Sequence, residues 1–242
     1  GLSEGRAQVW PGGLSILAEL LGVLRIGNLK ISDGALREGL LYDLLGRLQH
    51  KDARERTVQA MAGRYNVDMD QAHRVAATAA ALYGQCAAEW GLLGELEARM
   101  LDWSARLHEI GLDIAHDGYE RHGAYIAENA DMPGFPRAEQ RYLAFLVGSQ
   151  RHNLWRAQLE QLPKKWRVSA LRVAMLLRLA VLLNRSRKND VAPALEIQAS
   201  KKSLRLSFNQ KWLMANPLTV ADLEREQELL MLVDYGLTFD TP

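Results

Sequence analysis

Cysteine is almost missing from this chain: Cys86 is the single one in 242 residues, so neither an intramolecular disulfide nor a cysteine-built metal site can form. Its neighbours from Ala79 to Ala88 are mostly small, which predicts a packed helix and suits a reducing, cytoplasmic setting. Long apolar runs are also lacking. The longest, Ala170 to Leu183, is interrupted by Arg172 and Arg178 and is too short for a bilayer, and no charged-then-apolar leader opens the chain. No membrane partner is expected. Acidic residues, finally, are scarce in one place. Between Arg151 and Lys211, Glu160, Asp190 and Glu196 face fourteen Lys and Arg, a local excess of eleven positive charges in a chain whose formal total is +1. Mixed signs keep a protein soluble equally well, whereas a one-signed patch concentrates a counter-charged partner.

What is present is helical. Hydrophobic residues make up 48%, enough for one large core or two modest ones. Apolar spacing predicts a helix over Gly12 to Arg25, a short strand from Asn28 to Ser32 and a second helix from Asp33 through Leu45. From Asp52 to Arg187 a period of 3.6 residues dominates, broken only at Gly63 to Asp70, Gly91 to Gly94, Gly111 to Gly118, Met132 to Pro136 and Gln161 to Lys165, so six or so helices follow one another. After Asp190 the period shortens. Ala194 to Ala199 and Leu204 to Phe208 alternate around Ser200 to Ser203 as a β-hairpin, followed by a helix from Thr219 to Val233 and a strand near Tyr235 to Phe239.

On the helix expected from Trp166 to Arg187, Arg167, Arg178 and Arg185 are eleven and seven residues apart. Those intervals are close to whole turns, which predicts one cationic stripe about 27 Å long. Lys164, Lys165, Arg187, Lys188, Lys201 and Lys202 flank it at helix ends and in the hairpin turn, within sweep of a linear polyanion. Arg121 beside His122 and Arg151 beside His152 add two further phosphate grips, since imidazolium next to guanidinium suits an oxyanion. Solvated surface is the competing reading of every one of these charges, and the missing interleaved carboxylates count against it. Aromatic residues are only 7%, and Trp155, Trp166 and Trp212 are too scattered for a base-stacking platform. Inorganic polyphosphate, charge without bases, is therefore favoured over nucleic acid.

Two stretches carry a resemblance. Ser32-Asp33-Gly34-Ala35-Leu36-Arg37-Glu38-Gly39-Leu40-Leu41-Tyr42, with Pro11-Gly12-Gly13 before it, and Leu107-His108-Glu109-Ile110-Gly111, followed by Arg121-His122-Gly123-Ala124-Tyr125-Ile126, resemble the bacterial exopolyphosphatase / guanosine pentaphosphate phosphohydrolase family. The resemblance implies a mainly α chain with three parts. These are a short α/β remnant of the second actin-like catalytic lobe (1–48), an HD-domain-like helical bundle (49–189) and a small β-β-α-β appendage (190–242). It also implies a fragment, consistent with a first residue that is Gly1 rather than Met. The family's phosphate-gripping glycine loops and catalytic acids lie upstream of anything present, so the chain alone is expected to be inert, with no catalytic residue and no cofactor of its own. The intact enzyme is expected to use Mg²⁺ and to release orthophosphate from polyphosphate as a homodimer. Trp212-Leu213, Asn216-Pro217-Leu218 and Asp222 to Gln227 look more like the exopolyphosphatase branch than the pentaphosphate one.

HD-type phosphohydrolases ligate a divalent ion with a His, a His-Asp pair and a distant Asp. The counterparts here are His73 and His108 with Glu109, whereas the last position falls in Leu179-Ala180-Val181-Leu182, with no Asp or Glu between Trp166 and Lys188. The set is incomplete, and no metal is expected. The rival readings are a guanosine pentaphosphate phosphohydrolase region, an independently active HD-type metal phosphohydrolase, a nucleic-acid-binding module and a self-association domain that uses Leu14 to Leu24.

Overall fold

The computed structural model describes residues 4–28, 53–187 and 195–240, in two compact units, Gly1–Gln49 and His50–Pro242. In the first, helix α1 (Glu4–Val23) holds Pro11 within it, and its apolar side chains, Ile16 and Val23 among them, are exposed. The strand expected at 28–32 and the helix expected from Asp33 lie almost wholly outside the described residues.

The second unit is a helical bundle with a small sheet. Its helices are α2 (Ala53–Arg64), α3 (Met69–Trp90), α4 (Glu95–Leu107), α5 (Tyr119–Asn129), α6 (Arg137–Ser149), α7 (Arg156–Gln161) and α8 (Arg167–Leu183), with 3₁₀ turns at Ile110–Asp113 and Lys164–Trp166. The breaks fall where turn residues force them. Asp68 caps α3 by accepting from the Gln71 amide at 3.0 Å, and Gly91, at φ 61°, ends the same helix by donating to Ala87 and Ala88, the left-handed stop that glycine adopts without strain.

Helix α8 is the centre of the bundle. Every residue from Val173 to Ala180 is buried, and α3, α4 and α6 all pack against it. A helix apolar on all sides must be enclosed, and this enclosure decides the fate of Arg178.

The hairpin β1 (Glu196–Ser200) and β2 (Ser203–Ser207) pairs Ile197 with Leu206 in antiparallel register, and β3 (Gly236–Phe239) lies parallel to β2. Between β2 and β3 come α9 (Gln210–Ala215) and α10 (Pro217–Met231), so the chain order here is β-β-α-α-β. Alternation buries Ile197, Leu204, Leu206 and Leu237. Arg172, one of the two charges that interrupt the apolar run, fastens the sheet to the bundle: it donates to the Trp90 carbonyl at 2.7 Å, the Lys201 carbonyl at 3.1 Å and the Tyr235 hydroxyl at 3.2 Å.

Candidate functional site

Leu107 to Gly111 closes α4 and opens the 3₁₀ turn, and a backbone contact fixes where it goes. A Cβ on Gly111 would lie 2.0 Å from the Tyr119 carbonyl oxygen and 2.5 Å from the Gly123 amide. Only glycine permits that approach, so Gly111 presses the turn onto α5 and sets His108 and Glu109 against the start of that helix.

There a cavity of about 360 Å³ opens, lined by His108, Glu109, Tyr119, Gln150 to His152 and Arg178, by Arg185 and Arg187 just past α8, and by Asp222, Arg225 and Glu226 of α10. Its size suits a small ligand. Its floor is rich in acceptors. His108 is buried, with Nδ1 2.7 Å from the Ala105 carbonyl; Nδ1 therefore carries the proton and Nε2 is a bare acceptor, 3.8 Å from Glu109 Oε1. Burial pushes the imidazole pKa down to about 4, so it is neutral at pH 7. Burial raises the Glu109 carboxyl, and the Arg187 guanidinium on Oε1 pulls the other way. Glu109 Oε2 and Gln150 Oε1 are buried without a hydrogen-bond partner. Such groups are costly and call for a ligand or water that donates to them.

The rim is cationic. Arg151 lies 5.3 Å from the centre of the Tyr119 ring, Arg185 pairs with Asp222 at 2.5 Å, and Arg187 bridges Asp68, at 2.9 Å, and Glu109. Arg225 is exposed and makes no ion pair among the described residues. His152 and Arg187 both have positive φ, 51° and 55°, a left-handed backbone that non-glycine residues hold at a cost and that concentrates at binding sites.

The single stripe expected along α8 is corrected here. Arg178 is 2% exposed; its Nε and Nη2 donate to the two Glu226 oxygens at 2.5 and 2.7 Å, and its remaining bonds go to the Ser149 and His152 carbonyls. It is structural, because a guanidinium enclosed among apolar helices must be paired. Arg167 turns back onto the Leu162 carbonyl at 3.0 Å and the Glu160 carbonyl, away from the cavity. Arg185 lies past the helix end, facing α10. Of the thirteen expected binding residues, Arg151, His152, Arg178, Arg185 and Arg187 line this cavity. Arg121, His122, Lys164, Lys165, Arg167, Lys201 and Lys202 do not, and Lys188 lies outside the described residues. Lys201 and Lys202 are exposed in the β1–β2 turn.

No sequence pattern marks Arg225, Gln150 or Tyr119 as lining the cavity. Their contribution depends on α10 and α5 folding onto α8, which spacing within one segment cannot reveal. Asp222 and Glu226, four apart on α10, carry the one usable signal: two carboxylates on one helix face, matched to Arg185 and Arg178.

His73 is exposed on α3 and does not line the cavity. Among the described residues no three His, Cys, Asp or Glu side chains are disposed to hold a metal. Val181 and Leu182, both apolar, line the cavity wall. No described helix is long and apolar enough to cross a membrane.

Comparison with known proteins places the chain. Residues 53–227 match the Ppx/GppA phosphatase, domain III, and residues 1–48 match the Ppx/GppA phosphatase family. Proteins named guanosine-5′-triphosphate,3′-diphosphate pyrophosphatase are similar along nearly its whole length. That of Vibrio parahaemolyticus is 39% identical over 98% of this chain and 48% of its own, that of Vibrio campbellii 39% over 100% and 48%, and that of Aeromonas hydrophila 37% over 94% and 46%. The chain thus spans about half the length of these curated relatives, and it belongs to the Ppx/GppA phosphatase family.

Proposed function

We propose that this chain is the C-terminal region of a guanosine pentaphosphate hydrolase and that its cavity holds the guanosine polyphosphate. The observation that carries the reading is the two-sided lining. Buried acceptors without partners, Glu109 Oε2 and Gln150 Oε1, sit in the same wall as the cations Arg151, Arg185, Arg187 and Arg225. Inorganic polyphosphate carries only acceptors and has nothing to offer that floor. A guanine edge carries N1–H and N2–H donors, which a carboxylate accepts as a pair, while the phosphates take the guanidinium forks. The names of the relatives favour the same ligand over polyphosphate, and with it the pentaphosphate branch over the exopolyphosphatase branch that Trp212 and the Asp222 to Gln227 run suggested. Those residues have scaffolding work instead: Trp212 stacks on Phe208 with ring centres 5.6 Å apart, and Asp222 and Glu226 hold Arg185 and Arg178.

Arg187 links the two halves of the cavity. Shared between Asp68 and Glu109, it can turn to an incoming phosphate and release Glu109 Oε1 to the base. The residues here bind and orient. Bond cleavage is assigned to residues outside this chain. Calorimetric titration with guanosine pentaphosphate and with inorganic pentapolyphosphate tests the assignment. The nucleotide should bind at least ten-fold tighter, and Arg151→Ala with Arg225→Ala should weaken it by a further order of magnitude. Equal affinity for the two ligands would return the cavity to inorganic polyphosphate, and binding of neither would remove the ligand role.

A further inference from the structure

Gln150 and Arg151 lie side by side where the chain leaves α6, and the carbonyls on either side of them are held by one buried side chain. Arg178 Nη1 donates to the Ser149 carbonyl at 2.5 Å and Nη2 to the His152 carbonyl at 2.9 Å. Nε and Nη2 take the two Glu226 oxygens at 2.5 and 2.7 Å. A guanidinium has five N–H donors, and most of these are spent inside the protein. Little is left for a ligand.

The grip has a physical reason at each end. The last carbonyls of a helix have no partner within it and carry the negative end of its dipole, and a guanidinium answers both needs at Ser149. His152 holds φ 51°, a left-handed conformation that a non-glycine residue keeps only where its surroundings impose it, and its carbonyl is on Arg178. Trp155 closes the passage: its amide donates to Ser149 Oγ at 3.2 Å, and its ring lies so close to α6 that a Cβ on Gly148 would meet it at 2.8 Å. Between these holds, Gln150 donates Nε2 to the His108 carbonyl and leaves Oε1 unpartnered, while the Arg151 guanidinium stands 5.3 Å from the centre of the Tyr119 ring. One floor acceptor and one rim cation are thus carried by a backbone that Arg178 holds.

We infer that Arg178 is a positioning residue for the ligand: it shapes the Ser149 to His152 backbone so that Gln150 Oε1 and Arg151 meet the nucleotide together. Glu226, from α10, fixes the guanidinium for that task. This role rests on the reading that the cavity holds a guanosine polyphosphate. Lysine at this position would keep the charge and lose the shape, because one ammonium nitrogen offers three donors from a point and cannot span these acceptors as a planar fork does.

The test separates positioning from stability. Arg178→Met with Glu226→Leu removes the grip while an apolar pair of similar volume preserves the fold, and Arg178→Lys is the second variant, used also if the first does not fold. The urea midpoint verifies folding. Two readouts then decide the matter: amide exchange across Ser149 to Trp155 without ligand, and calorimetric affinity for guanosine pentaphosphate and for inorganic pentapolyphosphate. In either folded variant, exchange across that segment should quicken while the middle of α8 stays protected. Nucleotide affinity should fall by about ten-fold or more, the scale of one lost charge-assisted contact, and the preference over pentapolyphosphate should shrink with it. Wild-type exchange across Ser149 to Trp155 in a folded variant would overturn the positioning role, and so would wild-type nucleotide affinity. If the wild-type chain binds the nucleotide no better than pentapolyphosphate, the ligand reading fails by itself, and the exchange measurement still decides whether Arg178 shapes the segment.

Discussion

Replacing Glu226 with Leu strands the Arg178 guanidinium in a wall it cannot leave. Both partners are at most 7% exposed at their side chains, with oxygen–nitrogen distances of 2.5 and 2.7 Å. Breaking a pair of that kind by removing one member costs about 3–5 kcal/mol, because an uncompensated charge stays buried. Arg178 keeps its Ser149 and His152 carbonyl acceptors, which puts the loss near the lower end, about 3 kcal/mol. With a urea slope of about 2 kcal/mol/M, the midpoint should fall by about 1.5 M. Asp222→Leu is the matched control on the same helix: Arg185 is 64% exposed at its side chain, and such a surface pair is worth at most about 1 kcal/mol. Adding Arg178→Met to Glu226→Leu should restore most of the loss, since an apolar pair of similar volume replaces a buried ion pair at little cost. A Glu226→Leu midpoint no lower than that of Asp222→Leu would refute the reasoning and leave Arg178 hydrated in solution.

Three further outcomes are expected. Gly111→Ala should destabilise by about 3 kcal/mol or more, because its Cβ meets the Tyr119 carbonyl 2.0 Å away and the turn must shift; a thermal midpoint within 2 °C of wild type would contradict this. His108 should cost stability in acid. Its pKa is about 4 when folded and about 6.5 when unfolded, so the unfolded chain takes the proton first as pH falls from 6.5 towards 4, and stability is lost across that window. Glu109, raised by burial, works in the opposite direction. His108→Asn keeps a donor for the Ala105 carbonyl and should flatten the acid-side fall in urea midpoint, and an unaltered pH profile would count against a buried neutral imidazole. Finally, Arg172→Met should loosen the sheet, releasing the Trp90, Lys201 and Tyr235 contacts; faster amide exchange in β1 to β3 than in α3 would register it.

Much of the bundle could be read from periodicity. The breaks at Gly63 to Asp70, Gly91 to Gly94 and Gln161 to Lys165 coincide with observed helix ends, because each contains a cap, a glycine or a proline that acts locally. The hairpin and the last strand followed from alternation for the same reason. The basic block was a different matter. Counting charge along the chain found no carboxylate between Trp166 and Lys188, but the partners come from Asp68, Glu109, Asp222 and Glu226, brought by helices that are distant in sequence. Helical spacing put Arg178 on a stripe with Arg167 and was silent on burial. The apolar residues on every side of it, Val173 to Ala180, were the available sign that no face of α8 was free for a polyanion.

Hydrogen–deuterium exchange in the presence of guanosine pentaphosphate tests most directly the claim that one cavity reads both base and phosphate. Protection is predicted to gather at the backbone around His108 to Gly111, Gln150 to His152 and Arg185 to Arg187, to shrink in Glu109→Gln, and to be absent when inorganic pentapolyphosphate replaces the nucleotide. Nucleotide-induced protection confined to other segments, or an identical footprint from both ligands, would contradict it.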